Sequence, residues 1–157
     1  MFTKVREQFR KNILHRIDTG SKDAVTCPCC EHSHRVYHRS INSGMAKGLI
    51  AAFRARNLQH FHAHDLLNDH NAWSGDFTKL RFWGFIERAT EIEGLKGKTN
   101  GYWRITAAGV EFIHGRTSAV KFLHILDDCV EKNSGGYVTI STCLGNKFSY
   151  RELMGFV

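Results

Sequence analysis

The chain has 157 residues and a formal net charge of +7, and 42% of its residues are hydrophobic while 24% are charged. These values are typical of a globular protein and exclude a wholly disordered chain. No apolar run approaches the roughly 18 residues that a membrane span needs. The excess of basic over acidic residues is largest in residues 1–40, which contain eight Lys or Arg and four Asp or Glu. A basic surface favours polyanions, and nucleic acid is the commonest of them.

The first forty residues predict one helix followed by an irregular segment. Apolar residues recur at helical spacing over residues 3–17, and Gly20 is expected to end that helix. Residues 21–40 show no clear period and predict a compact loop or knuckle.

The middle of the chain alternates between helices and short strands. Helices are predicted over residues 41–57, 63–70, 76–83 and 106–115. Two strands are predicted over residues 85–88 and 102–105, and a turn-rich, basic loop is predicted between them over residues 93–101. Ser40 or Asn42 is expected to cap the first of these helices, Gly84 to end the third, and Thr106 to cap the last.

The tail predicts two strands and a short helix. The strands are expected over residues 119–126 and 137–140, with a turn at Ser134-Gly135-Gly136 and a terminal helix at 150–154. We accordingly divide the chain into an N-terminal helix with a knuckle, a central domain and a C-terminal strand-strand-helix extension. These three parts are residues 1–40, 41–115 and 116–157.

Five cysteines are present, and three of them are crowded together: Cys27, Cys29, Cys30, Cys129 and Cys143. The first residues run directly into a polar, amphipathic stretch and not into a signal peptide. We therefore expect a cytoplasmic protein with reduced cysteines. In a reducing compartment, metal binding is favoured over a disulfide framework.

The crowded cysteines form a candidate metal site. Cys27 and Cys30 make a C-x-x-C pair, the spacing at which two thiolates bind one tetrahedral zinc ion. The set we select is completed by His34 and His38, and the zinc would be structural. Other histidines that would also serve lie nearby or farther along the chain, at His32, His62 and His64. A metal-free cysteine loop remains the alternative, because no second C-x-x-C pair exists.

Two stretches of the central domain carry a resemblance to a known fold family. They are Leu80-Arg81-Phe82-Trp83-Gly84-Phe85-Ile86-Glu87-Arg88 and Gly101-Tyr102-Trp103-Arg104-Ile105-Thr106-Ala107-Ala108-Gly109. Together these stretches resemble the corresponding sequence of winged-helix repressors, including the multiple-antibiotic-resistance type, and the resemblance covers about half of the chain. The resemblance implies an α+β, mainly α fold. It would be a winged helix-turn-helix with an N-terminal helix and Cys/His knuckle and a small β-containing C-terminal extension.

The same resemblance implies a double-stranded DNA-binding protein, in the role of a transcription regulator. In that fold the third helix enters the major groove, and the wing contacts the backbone or the minor groove. The candidate contacts on the third helix are Thr78, Lys79, Arg81 and Phe82. Those on the wing are Lys96, Lys98, Asn100 and Arg104. Such repressors are often dimers, so a homodimer is compatible with the resemblance.

A second resemblance covers most of the chain and is to phage and prophage proteins that carry no assigned activity. The resembling segments are residues 27–30, 37–46, 76–84 and 148–154. It implies a small accessory protein in a bacterial cell. It also supports an alternative function, an interaction protein that binds and inhibits a host protein. We do not expect an enzyme, because no Ser-His-Asp run, phosphate-binding glycine loop or H-E-x-x-H motif is visible.

Overall fold

A computed structural model of the chain describes residues 2–19, 24–95 and 99–156. These residues divide into two compact units, each built from two stretches of chain. The first unit combines residues 1–40 with 121–136, and the second combines 41–120 with 137–157. The predicted C-terminal extension thus contributes residues to both units.

Six α-helices and one 3₁₀ helix are found in the described residues. The α-helices are α1 Phe2–Thr19, α2 Ser43–Arg56, α3 Ala63–Asp69, α4 Ala107–Ile113, α5 Ile140–Leu144 and α6 Tyr150–Met154. The 3₁₀ helix is Phe77–Trp83. The predicted end of α1 at Gly20 lies outside the described residues.

Eight strands form three small antiparallel sheets within the described chain. The strands are β1 Val25–Thr26, β2 Ser33–His34, β3 Tyr37–Ser40, β4 Phe61–His62, β5 Ile86–Arg88, β6 Tyr102–Ile105, β7 Ala119–Leu126 and β8 Cys129–Val138. Their orders are β1-β2, β3-β7-β8 and β4-β6-β5. The predicted knuckle is therefore more regular than expected, because it contains β1, β2 and β3.

Side chains cap the N-terminal ends of α2 and α4. The Asn42 side chain accepts a hydrogen bond from the Met45 amide at 2.9 Å, which confirms one of the two predicted caps of α2. Thr106 accepts one from the Gly109 amide at 3.1 Å and caps α4 as predicted. The Thr106 hydroxyl also donates to the Gly84 carbonyl at 2.5 Å. This one side chain therefore ties the end of the 3₁₀ helix to the start of α4.

The second unit has an apolar core around α2. Leu49, Ile50 and Ala52 are fully buried, and they share the core with Phe77 and Phe112. Burying a Leu, Ile or Phe side chain contributes about 1.5–3 kcal/mol relative to exposure. Against this core lies the sheet β4-β6-β5, in which Phe61 pairs with Trp103 across β4 and β6.

Gly109 allows α4 to pack closely against the chain that precedes β5. A Cβ atom at this position would lie 2.3 Å from the Phe85 carbonyl oxygen, a distance that real Cβ atoms do not reach. Any larger residue would therefore push the helix away from that carbonyl. The close approach lets the Phe112 ring stack on the Phe85 ring, with their centroids 4.6 Å apart.

The first unit is built on the sheet β3-β7-β8. Strand β3 pairs with β7 in antiparallel register, with Tyr37 opposite Ile125 and Ser40 opposite Phe122. Strands β7 and β8 are joined at Asp127 and Asp128, which have φ angles of 50° and 62°. Positive φ at both central residues is what a two-residue hairpin of type I′ requires.

The prediction of a mainly α winged helix is wrong. Of the described residues, 42% are helical and 24% lie in strands, which form three separate antiparallel sheets. The broader α+β class is compatible with this content. The predicted α-helix over 76–83 is instead the 3₁₀ helix, in which Phe77 and Leu80, three residues apart, are both buried. A three-residue spacing places both on one side of a 3₁₀ helix.

The predicted turn at Ser134-Gly135-Gly136 is also wrong, because these residues lie within β8. Gly135 and Gly136 have positive φ angles of 79° and 72°, as in a turn, yet the strand continues through them. A Cβ atom on Gly135 would lie 2.3 Å from the Phe122 ring of β7. The glycine is thus required for close approach of an aromatic ring, a known role for glycine inside strands.

Within the described part of the chain, every helix is too short or too polar to cross a bilayer.

Candidate functional site

The hairpin formed by β1 and β2 carries a cluster of metal-ligating atoms. Its two strands pair with Val25 opposite His34. The Cys27 amide donates to the His32 carbonyl at 2.9 Å, and the Glu31 amide donates to the Cys27 carbonyl at 2.9 Å. Glu31 adopts a positive φ of 60°, which reverses the chain between the strands. The turn therefore places the residues of the C-x-x-C pair beside the start of β2.

Three side chains of this hairpin lie close enough to hold one metal ion. The sulfur atoms of Cys27 and Cys30 and a ring nitrogen of His34 all lie within 4.8 Å of one another. Cys27 and His34 are half-buried, whereas Cys30 is exposed. Two sulfur atoms and an imidazole nitrogen are the ligand types that zinc takes in structural sites.

The electrostatic environment of the cluster favours a thiolate. Hydrogen bonds from the backbone amides of Cys30 and Cys29 lower the pKa of the Cys27 thiol below its ordinary value. A thiolate is the form that ligates a metal.

The two ring nitrogens of His34 have different surroundings. Nδ1 lies 2.9 Å from both carboxylate oxygens of Asp127, which is in the turn between β7 and β8. Nε2 is buried and has no hydrogen-bond partner in the described part of the chain. Buried polar atoms are nearly always satisfied, so an unpartnered one calls for an explanation.

The remaining histidines considered as ligands have other neighbours. The His38 ring stacks on Phe122, with a centroid distance of 4.7 Å, and is not one of the three clustered residues. His62 accepts a hydrogen bond from the Asp65 amide at the start of α3. His64 packs edge-on against Trp73 at 4.9 Å. Among the described residues, only Cys27, Cys30 and His34 form such a group.

A second candidate site is a concavity in the second unit, with a volume of about 270 Å³. It brings together the 3₁₀ helix and the two strands of the β5–β6 hairpin. Its lining residues are Thr78, Arg81, Arg88, Thr99, Asn100, Gly101, Tyr102 and Trp103. They include two arginines and three short polar side chains, Thr78, Thr99 and Asn100.

Aromatic rings lie beneath both arginines of this concavity. The Arg81 guanidinium is 4.6 Å from the centroid of the Phe82 ring. The Arg88 guanidinium is 5.5 Å from the centroid of the Trp103 ring, which faces it across the β5–β6 ladder. Such cation–π contacts restrict the position of a guanidinium.

The predicted DNA contacts are only partly brought together. Thr78, Arg81 and Asn100 line the concavity, whereas Lys79 and Phe82 are half-buried residues of the same 3₁₀ helix. Arg104 forms an ion pair with Glu87, its cross-strand neighbour, at 3.0 Å. The two remaining candidates, Lys96 and Lys98, lie outside the described residues.

Arg88 and Asp127 are among the residues of these sites that were not selected from the sequence. Arg88 faces Trp103 across a strand pair, and the predicted pairing of residues 85–88 with 102–105 is a signal that could have identified it. Asp127 is 93 residues from His34, and nothing in the local sequence of either residue indicates that they meet.

Comparison with known proteins identifies no relative: no protein-family model, no curated protein and no solved structure matches the chain.

Proposed function

We propose that the chain binds double-stranded DNA and that the concavity lined by Arg81 and Arg88 contacts its phosphates. The observation that supports this proposal is the composition of that concavity. Two guanidinium groups from different elements converge there with the side chains of Thr78, Thr99 and Asn100.

The chemistry of these groups suits a phosphodiester. Guanidinium groups donate two parallel hydrogen bonds to phosphate oxygens, and hydroxyl and amide groups supply further donors. Phe82 and Trp103 hold the two guanidiniums in place, which reduces the entropy lost on binding. The net charge of +7 adds a long-range attraction to a polyanion.

For the cluster in the β1–β2 hairpin, we propose that the metal is zinc and that its role is structural. Cys27, Cys30 and His34 would ligate it, and His38 would not. Zinc prefers sulfur and nitrogen ligands, and these residues would supply three of the four that a structural site takes. Binding would contribute directly to the folding of a hairpin with two-residue strands.

The DNA proposal is tested by fluorescence anisotropy with labelled duplexes over a salt series. We expect wild-type affinity to fall steeply with salt, because phosphate contacts release counterions. The variant R81A/R88A should lose at least about tenfold in affinity and reduce the salt slope by about two. The matched control R56A/R116A removes the same charge from residues that do not line the concavity.

The proposal predicts a clear difference between these two variants. An equal loss in R81A/R88A and R56A/R116A would show that only net charge matters and would overturn the assigned surface. Absence of wild-type binding at low salt would overturn DNA binding itself. In that case, a protein partner that stays bound after nuclease treatment would favour the interaction-protein alternative.

A further inference from the structure

The hydrogen bonding of His34 determines which of its nitrogens is free to bind a metal. Nδ1 lies 2.9 Å from each carboxylate oxygen of Asp127. An ionised carboxylate only accepts hydrogen bonds, so Nδ1 must carry the proton. In the neutral ring, Nε2 then holds the lone pair, and it is this nitrogen that is buried without a partner.

The unpartnered nitrogen belongs to the residue that lies beside the two sulfur atoms. His34 approaches Cys27 and Cys30 with its ligand atom within 4.8 Å of theirs. A metal ion at the centre of this group would accept the Nε2 lone pair and so satisfy the buried atom. Metal-bound histidines nearly always donate their other N–H to a carboxylate, a carbonyl or water, which is the arrangement that Asp127 supplies here.

We propose that Asp127 is a positioning residue of this metal centre, which holds the His34 ring so that Nε2, and not Nδ1, ligates the ion. This inference rests on the proposed zinc site. Asp127 does not contact the metal in this scheme. It fixes the tautomer and the orientation of the ring, and it increases the basicity of the ligating nitrogen.

The position of Asp127 in the hairpin turn suits this role. Asp127 lies in the turn between β7 and β8 and has a φ of 50°. The contact joins residues 93 positions apart within the first unit. Metal binding by the β1–β2 hairpin is therefore coupled to the formation of the β7–β8 hairpin.

The test measures zinc affinity of the full chain by competition with a chromophoric chelator. The variant D127N keeps the size of the side chain but lacks the charge, and we expect its zinc affinity to fall about 10–100-fold. The matched control is D18N, which removes a carboxylate that pairs with Lys132 in the same unit. D18N should bind zinc like the wild type.

A spectroscopic measurement separates a positioning role from a merely structural one. Long-range ¹⁵N–¹H correlation of the imidazole should show Nδ1 protonated and Nε2 coordinated in the zinc-loaded wild type. In D127N, the preference for this tautomer in the metal-free protein should be lost. The variant H34A should lose tight binding, and C129S, which changes an exposed cysteine of the same unit, should retain it.

The outcomes distinguish this inference from the zinc proposal. If the wild type binds no zinc, the zinc proposal fails and this inference fails with it. If the wild type binds one equivalent but D127N has the same affinity, or if Nδ1 is the coordinated nitrogen, only the role of Asp127 is overturned.

Discussion

The two units of the chain are held together by different interactions. In the second unit, large apolar side chains such as Phe77, Leu49 and Phe112 are fully buried around α2. In the described part of the first unit, the buried apolar residues are only Ile13, Leu123, Ile125 and Leu126. That unit instead contains ion pairs that join distant segments, together with the metal cluster.

Two ion pairs and a hydrogen bond in the described first unit bring the N-terminal segment to the β7–β8 hairpin. Arg10 contacts Glu131 at 2.6 Å, Lys132 contacts Asp18 at 2.6 Å, and Nδ1 of His34 is hydrogen-bonded to Asp127. Exposed ion pairs contribute little, typically about 0–1 kcal/mol, whereas apolar burial is additive over a core. The comparison teaches that polar contacts between distant segments take a larger share in the first unit, while apolar packing dominates the second.

The largest effect is expected from opening the core of the second unit. The variant F112A removes a ring that is fully buried and stacked on Phe85, and we expect a loss of about 3–5 kcal/mol in unfolding free energy. Urea unfolding followed by tryptophan fluorescence reports this unit, because Trp73, Trp83 and Trp103 all belong to it. The control F156A truncates a ring that is 55% exposed and should change little.

A loss below about 1 kcal/mol in F112A would contradict the view that packing stabilises the second unit.

A smaller effect is expected from breaking an ion pair in the first unit. Glu131 has a side chain that is only 7% exposed, and R10A would leave its carboxylate without the Arg10 partner. We expect the unit to lose about 1–3 kcal/mol, which is the cost of an unsatisfied buried polar group. Amide hydrogen exchange in β7 and β8 measures this loss. The double variant R10A/E131Q should recover part of it, because the unpaired charge is gone.

If R10A/E131Q is no more stable than R10A, the loss of stability in R10A does not come from an unpaired carboxylate. The contrast between the two units would then be weaker.

The smallest effect concerns pH. Burial of its ring lowers the pKa of His124 below the ordinary value of 6.5; the nearby His38 and Lys132 act in the same direction, while Asp18 opposes them. The unfolded chain therefore takes up a proton at a higher pH than the folded one. Stability from the neutral ring is present above about pH 6.5 and is lost as the pH falls through the lowered pKa.

Histidine titration by NMR should thus place His124 below 6.5, and exchange of the β7 amides should accelerate over the same acid range. The variant H124Q should reduce that acceleration. If H124Q shows the same acceleration, groups other than His124 cause the faster exchange at acid pH.

The local elements of the fold were largely predictable from the sequence. The spacing of apolar residues predicted the bounds of α1, α2 and α3 to within a few residues. The caps at Asn42 and Thr106 were confirmed, because Asn and Thr side chains accept hydrogen bonds from backbone amides a few residues away. Strands β6 and β7 were confirmed at the expected residues. These features depend on neighbours within a few positions, which a sequence displays directly.

The errors arose where tertiary packing overrides local preference. Two consecutive glycines predicted a turn, but the Phe122 ring occupies the space over Gly135 and the strand continues. An α-helix was predicted over residues 76–83, yet a 3₁₀ helix forms over Phe77–Trp83. At the metal cluster, spacing selected Cys27 and Cys30, and His34 and His38 were chosen to complete the set, of which only His34 joins the cluster. Asp127 reaches His34 only through the folded chain.

The discontinuity of the first unit has a consequence for synthesis on the ribosome. Domains usually fold in the order in which they are translated. Here the N-terminal segment cannot complete its unit until residues 121–136 have been made, by which time residues 41–120 are already available. The cysteine hairpin therefore cannot contact Asp127 until about eighty further residues, 41–120, have been translated.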